Sequence, residues 1–255
     1  MRVFRKNEVN TCLCLELPSL AYEHALNLQR ALVVLRRDRY IRSDIFILLE
    51  HPPVFTLGRR GMRNNFKVSE AHLKSANIPI VPVERGGDIT YHGPGQLVGY
   101  PILNLYQANL GVVDYVKYLE EVMLRTAADW GIPAERNARN RGVWAGNQKL
   151  GSVGIAVQRG ISFHGFALNV NTNLGPFNWI NPCGLKNIGM TSMAHQLSRN
   201  ISVNKVRLAV KRHMETVFKF KLVETELNTL MPGIQSVENL IVRPPVQVSV
   251  PLGST

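Results

Sequence analysis

The stretch Arg85-Gly86-Gly87-Asp88-Ile89-Thr90-Tyr91-His92-Gly93-Pro94-Gly95-Gln96 combines four glycines and a proline with one arginine and one histidine. Glycine lacks a Cβ and reaches positive φ, so Gly86 and Gly87 let backbone N–H groups approach a ligand closely. Gly93-Pro94-Gly95 predicts a turn that fixes the direction of His92. An ordinary connection would also be rich in glycine and proline. The added arginine and histidine favour a ligand-binding loop.

Apolar periodicity before this loop predicts strands that alternate with helices. The apolar run from Ile45 to Glu50 ends at His51-Pro52-Pro53, as in a central strand buried on both faces, and we expect Val54 to Leu57 to continue it. The other expected elements are strands at 11–17, 78–84 and 98–105, a helix capped by Ser19 that runs to Arg37, and a short helix at 69–76 capped by Ser69. The basic, glycine-bearing stretch 58–66 predicts a mobile loop near the mouth of the site.

The second half of the chain predicts a long helix, an antiparallel meander and a last helix. Apolar positions recur at helical spacing from Val112 to Trp130. Segments 142–145, 149–158 and 161–170 are separated by tight turns and predict three antiparallel strands. Residues 171–181 predict a loop, and Ser202 caps a helix that reaches Phe220. The fold class is therefore α/β (α+β), with a mixed sheet.

Domain organisation follows from length and composition. The 255 residues can bury one large core, and we expect a single catalytic domain at 1–234. Residues 235–255 contain Pro244-Pro245 and lack an amphipathic period, which predicts a loose tail. No apolar run approaches the roughly 20 residues of a membrane span, and no secretory leader is evident, so we expect a cytoplasmic protein without membrane association.

The chain is strongly basic, with 30 Lys and Arg against 18 Asp and Glu and a net charge of +12. This charge suits an anionic partner such as a nucleic acid or an acidic protein. The basic residues occur in scattered pairs, including Arg36-Arg37 and Arg59-Arg60, without an aromatic RNA-binding signature. A nucleic-acid-binding module is therefore only the second interpretation.

The three cysteines are Cys12, Cys14 and Cys183, a set that favours neither disulfides nor a metal site. Cys183 lies between Pro182 and Gly184, on a predicted bend with little crowding. A thiolate beside an ammonium such as that of Lys149 would be stabilised and nucleophilic. Taken singly, a free cysteine is more often a core residue and a lysine after a hairpin turn is more often a surface charge.

Four motifs occur in the order Arg85-Gly86-Gly87-x-x-Thr90-x-His92-Gly93-Pro94-Gly95-Gln96, Lys149-Leu150-Gly151-Ser152-Val153-Gly154, His164-Gly165-Phe166-Ala167-Leu168-Asn169 and Pro182-Cys183-Gly184. In this combination the chain resembles the lipoyl(octanoyl) transferase family over about residues 11–220. The resemblance implies a biotin/lipoate-protein-ligase-like catalytic fold, with one large mixed sheet, a smaller sheet and flanking helices.

The same resemblance implies transfer of an octanoyl group from acyl carrier protein to a lysine of lipoyl domains, in 2-oxoacid dehydrogenase complexes and in glycine cleavage H protein. Cys183 matches the acyl-accepting cysteine, and Lys149 matches the lysine that pairs with it. The implied substrate-binding residues are Arg85, Gly86, Gly87, Asp88, Ile89, Thr90, Tyr91, His92, Ser152, Val153, Gly154, His164, Gly165, Phe166 and Ala167. We expect a monomer that uses no cofactor, ATP or metal. An ATP-dependent lipoate ligase is the enzyme alternative.

Overall fold

A computed structural model describes residues 10–137, 140–181 and 189–233. The strands are β1 (Thr11–Ser19), β2 (Asp44–Glu50), β3 (Val54–Leu57), β4 (Ile80–Pro82), β5 (Ile89–His92), β6 (Gln96–Ile102), β7 (Glu135–Arg136), β8 (Gly142–Ala145), β9 (Gln148–Gln158), β10 (Ile161–Asn169), β11 (Gly189–Met190) and β12 (Lys221–Glu224). The α-helices are α1 (Tyr22–Arg37), α2 (Glu70–Ser75), α3 (Val112–Asp129), α4 (Met193–Leu197), α5 (Val203–Phe218) and α6 (Leu227–Leu230). Short 3₁₀ turns form at Arg63–Asn65 and Gly175–Trp179.

Two sheets organise these elements. Within the described residues the large sheet has the order β12-β1-β2-β6-β10-β9-β8-β7, and β11 pairs with β9 beside this path. β1 runs parallel to β2 and β12, whereas β2, β6, β10, β9 and β8 are successively antiparallel. The small sheet has the order β4-β3-β5. The prediction of a large mixed sheet with a smaller one is confirmed.

Apolar side chains cover both faces of the large sheet. On one face α3 and α5 pack over Phe46, Leu97 and Phe166, and on the other α1 packs over Ile47 and Val98. A strand buried on both faces reads as a continuous apolar run, which is why residues 45–49 were recognisable from sequence. In the part of the chain that the structure describes, no helix has the length and apolar character needed to cross a membrane.

Two sequence predictions about the first half are wrong. Ser19 does not cap α1, because it is the last residue of β1 and pairs with Glu50 in the ladder to β2. The helix begins at Tyr22, and its N-cap residue, Ala21, makes no side-chain capping bond. β3 does not continue β2 either: after the two prolines it joins the small sheet, between β4 and β5.

The remaining element predictions hold with shifted ends. Ser69 and Ser202 cap α2 and α5 by accepting backbone hydrogen bonds from the third residue on. The meander is confirmed as β8, β9 and β10. The expected loop at 171–181 includes the turn Gly175–Trp179. The predicted tail at 235–255 lies outside the described residues.

Candidate active site

A cavity of about 400 Å³ lies where β6, β9 and β10 meet the loop before β5. Its apolar wall includes Val98, and its polar wall includes Lys149. The residues predicted to bind substrate that line it are Arg85, Gly86, Gly87, Asp88, Ile89, Thr90, His92, Ser152, Val153, Gly154, His164, Gly165, Phe166 and Ala167. Segments that are distant in sequence therefore meet around one space, as the motifs predicted.

Tyr91 is the exception among these predicted residues. Its side chain is buried in the small core next to the second sheet, with ring centroids 5.4 Å from those of Phe55 and Phe177. Side chains alternate along a strand, so Tyr91 points away from its neighbours Thr90 and His92. Tyr91 supports the loop from behind and does not line the cavity.

Lys149 stands near the start of β9 with only 4% of its surface exposed. Its Nζ donates a hydrogen bond to Asn140 Oδ1 at 2.5 Å and lies 5.6 Å from the centre of the Trp144 ring. A register shift between Val143 and Trp144 interrupts the β8–β9 ladder at this point. Lys149 is therefore not a solvated surface lysine, because its side chain is buried in the cavity wall.

Cys183 lies outside the described residues, so its pairing with Lys149 stays a prediction. The described chain on both sides of it is held by backbone hydrogen bonds, on the C-terminal side to the cavity residue Lys149. Before it, Asn181 N–H donates to Asn65 C=O at 2.8 Å. After it, Met190 pairs with Lys149, and Thr191 N–H donates to Lys149 C=O at 2.9 Å.

The other two cysteines belong to the core. Cys12 and Cys14 are buried in β1. Burial raises the pKa of Cys14 to about 12 and that of Cys12 well above its ordinary value. Both thiols stay protonated at neutral pH and are poor nucleophiles.

Arg85 is buried and fixes the glycine loop to the small sheet. Its guanidinium donates to Thr56 Oγ1 at 2.7 Å and to the Thr56 carbonyl at 2.8 Å. The backbone N–H groups of Arg59 and Arg60 donate to the carbonyls of Arg85 and Gly87, both at 3.0 Å. The basic loop predicted at the mouth of the site is therefore joined to the cavity wall, and Arg60 lines the cavity.

Two histidines and two tyrosines form a buried polar group beside this loop. His51 Nδ1 contacts the Leu20 carbonyl at 2.7 Å, and its Nε2 contacts Tyr100 Oη at 2.8 Å. The ring of Tyr22 stacks on His92, with centroids 5.6 Å apart. Burial lowers the pKa of His51 to about 4 and that of His92 well below its ordinary value. Burial also raises the pKa of Tyr22 to about 12. The group is polar yet uncharged at neutral pH.

His164 lies within β10 and has a left-handed backbone conformation, φ +55°. Its N–H donates to Gln29 Oε1 at 2.7 Å, which supports an otherwise costly backbone. Its ring lies 3.4 Å from Tyr22 Oη and 3.6 Å from Glu84 Oε2. Burial lowers the pKa of His164. Burial would raise the pKa of Glu84, but His164 and Arg30 lower it to about 2.

Sequence reasoning missed the cavity residues supplied by elements outside the motifs. These are Tyr22 on α1, Val98 and Tyr100 on β6, Val116 on α3, and Asn140 and Arg141 before β8. Tyr100 had a usable signal, because a tyrosine within the apolar run of β6 must place its hydroxyl on a buried partner. Asn140 had none, since an asparagine in a polar link is normally a surface residue.

Comparison with known proteins identifies the family. Residues 21–215 match the Lipoyl protein ligase A/B catalytic domain. An octanoyltransferase of Desulfotalea psychrophila is 47% identical over 75% of this chain and 87% of its own length. An octanoyltransferase of Syntrophobacter fumaroxidans is 46% identical over 80% of this chain and 90% of its own length.

Solved structures show the same fold at much lower identity. A lipoate-protein ligase A bound with ATP superposes with a TM-score of 0.70 and 16% identity, covering 91% of this chain and 92% of that one. A putative lipoate protein ligase from T. acidophilum with bound lipoic acid superposes with a TM-score of 0.69 and 18% identity. The match covers 91% of this chain and 93% of that one. The ligases thus share the architecture, whereas the sequence relatives at over 40% identity share the activity. The chain belongs to the lipoyl protein ligase A/B catalytic domain family and, within it, is an octanoyltransferase.

Proposed function

We propose that the octanoyl donor is the phosphopantetheine thioester of acyl carrier protein and that Cys183 carries the octanoyl group as a thioester. The acceptor is a lysine of lipoyl domains, in 2-oxoacid dehydrogenase complexes and in glycine cleavage H protein. The observation that carries this proposal is the buried amine of Lys149 in the wall of a largely apolar cavity. The chain that follows Cys183 returns to pair with this same lysine.

The chemistry needs two acyl transfers. In the first, Lys149 accepts the thiol proton of Cys183, the thiolate attacks the thioester carbonyl, and the pantetheine sulfur leaves with that proton. In the second, the neutral amine of the acceptor lysine attacks the Cys183 thioester and gives a proton to Lys149. The Cys183 sulfur leaves and takes the proton back. A thioester is converted into a more stable amide without another source of energy.

Both transfers pass through a tetrahedral oxyanion that backbone N–H groups can stabilise, each donor contributing about 3 kcal/mol. Gly86 is not available for this, because its N–H donates to the Ile155 carbonyl at 2.8 Å. Gly165 and Phe166 lie in the ladders of β10 with β9 and β6, where backbone N–H groups bond to the neighbouring strands. The candidate that remains is the N–H group of Gly87.

The proposed enzyme acts as a cytoplasmic monomer and needs neither ATP nor a metal. A lipoate ligase would instead activate a free acid with ATP, so the nucleotide requirement separates the two reactions. The acidic character of carrier proteins and lipoyl domains suits a chain of net charge +12.

The decisive experiment is mass spectrometry of the protein after incubation with octanoyl-carrier protein in the absence of ATP. We expect a hydroxylamine-sensitive octanoyl adduct on Cys183, and loss of this adduct in Cys183→Ala. Lys149→Ala should lower the rate of adduct formation by at least 100-fold, because the thiol is no longer deprotonated. Full transfer by Cys183→Ala, or a strict requirement for ATP, would refute the proposal.

A further inference from the structure

The direction of the Lys149 side chain defines where an acyl carbonyl would sit. A Cβ placed on Gly142 would lie 2.9 Å from Lys149 Cε and 3.2 Å from Ser152 Cα. Lys149 Cε and Ser152 Cα therefore lie close to the same face of Gly142. Gly142 pairs with Ser152 across the β8–β9 ladder. The lysine side chain thus extends along β9 to the level of Ser152.

Beyond Ser152 the cavity wall continues along β9 and β10 through three cross-strand pairs. Ser152 pairs with Ala167, Gly154 with Gly165, and Ile155 with His164. At 3.3 Å per residue, the glycine pair lies about 7 Å from Ser152 and the histidine pair about 10 Å from it. The seven carbon–carbon bonds of an octanoyl chain, each about 1.5 Å long, span less than about 10 Å as a zigzag. A chain that starts beside Lys149 therefore ends between these two pairs.

The glycine pair leaves little room for any side chain. A Cβ on Gly154 would lie 3.1 Å from Arg85 Cδ and 3.4 Å from the Gly86 carbonyl oxygen. A Cβ on Gly165 would lie 2.1 Å from the Gly99 carbonyl oxygen. The stem of Arg85 thus packs directly over Gly154, at the depth where the acyl chain ends.

The chemistry of the wall also changes at this depth. Val98 and Ala167 make the nearer part apolar. Next to the glycine pair lies the His164 ring, with Tyr22 Oη at 3.4 Å and Glu84 Oε2 at 3.6 Å. Within the described residues, His164 Nε2 and Glu84 Oε2 are buried and have no hydrogen-bond partner closer than each other. Methylene groups that reach these polar atoms would gain no hydrogen bond from them and would meet a polar instead of an apolar surface.

We propose that the Gly154–Gly165 pair under Arg85, together with the polar groups around His164, limits the acyl chain to eight carbons. This length limit rests on the proposed function, which places the acyl carbonyl beside Lys149. Shorter chains leave the apolar part of the cavity unfilled and lose its contact energy. Longer chains meet the arginine stem and then the polar groups.

The first test is Gly154→Ala, assayed with hexanoyl, octanoyl and decanoyl groups on the same carrier protein. The new methyl group occupies the end of the space, so the kcat/KM ratio of hexanoyl to octanoyl should rise at least 10-fold over wild type. The matched control is Gly111→Ala at the start of α3, where a Cβ meets no atom within 4 Å. Its ratio should equal that of wild type. An unchanged ratio in folded Gly154→Ala would overturn the length limit.

The second test removes a polar group instead of adding a methyl group. Tyr22→Phe removes the hydroxyl contacts with His164, at 3.4 Å, and with Tyr100, but it keeps the packed ring and should fold. We expect the kcat/KM ratio of decanoyl to octanoyl in this variant to rise at least threefold over wild type. A ratio at or below that of wild type would count against the proposal that polar groups limit the chain length. If wild type transferred none of the three chains from carrier protein, the proposed donor would be refuted. If wild type transferred all three acyl chains with equal kcat/KM, the length limit would be refuted, whereas the proposed donor would stand.

Discussion

Gly142 is the residue on which the position of the Lys149 amine depends. Its φ of +124° is inaccessible to most side chains, and its N–H donates to the buried carboxylate of Glu120 at 2.9 Å. A Cβ at this position would lie 2.3 Å from the Gly151 carbonyl oxygen and 2.9 Å from Lys149 Cε. Because Gly142 has no side chain, the Lys149 side chain can pass beside it and reach the level of Ser152.

Gly142→Ala should therefore lower kcat at least 30-fold, because the methyl group displaces the lysine side chain. The matched control is Gly146→Ala in the adjacent turn, where φ is +56° and a Cβ meets no atom within 4 Å. This control carries a backbone cost of about 1 kcal/mol without contact to the lysine. Octanoyl transfer and thermal unfolding, measured on both variants, separate the two effects. Equal losses of kcat would contradict the role given to Gly142.

At the scale of elements, His51 joins the end of β2 to the start of α1 and to β6. Its ring bonds the Leu20 carbonyl and Tyr100 Oη, and it lies within 5.7 Å of the rings of Tyr22 and His92. Burial lowers the pKa of His51 from 6.5 to about 4, so the folded protein holds it neutral. Below pH 6.5 the unfolded chain takes up a proton that the folded chain does not, and acidification therefore favours unfolding.

We accordingly expect the free energy of unfolding to fall as the pH drops from about 6.5 to 4, with His51 contributing up to about 3 kcal/mol. Urea titrations at several pH values measure this slope. His51→Gln keeps a donor and an acceptor but does not titrate, so its slope should be flatter over the same range. A variant slope as steep as that of wild type would show that other groups cause the acid sensitivity.

Helices α1, α2, α3 and α5, the central strand and the meander could be predicted because each follows from local periodicity. The position of β3 could not, since a prolyl pair is compatible both with a continued strand and with a change of sheet. The left-handed conformation of His164 was also hidden, because it depends on Gln29 in α1, 135 residues away in sequence. The glycine motifs located most of the cavity, whereas Tyr22 and Asn140 reach it through tertiary packing alone.

At the scale of the whole molecule, three exposed arginines lie beside the cavity to which the proposed carrier protein would deliver its thioester. Arg59 and Arg60 are exposed, and their backbone bonds hold them beside the cavity loop. Arg141 is exposed and also lines the cavity, next to Asn140 in sequence. A carrier protein that delivers a thioester into this cavity must lie against these guanidinium groups. Charge at such a rim increases the association rate more than the chemical rate.

The double variant Arg59→Glu and Arg60→Glu should raise the KM for octanoyl-carrier protein about 10-fold at low ionic strength. The KM for octanoyl-pantetheine should change far less, because that small thioester is uncharged. Added salt should reduce the difference between variant and wild type, since it screens exposed charges beyond about 10 Å. The control is Arg39→Glu with Arg42→Glu, a pair that lines a separate concavity with Gln107. If the control raised the KM for carrier protein as much as the rim variant, net charge rather than the rim would determine docking.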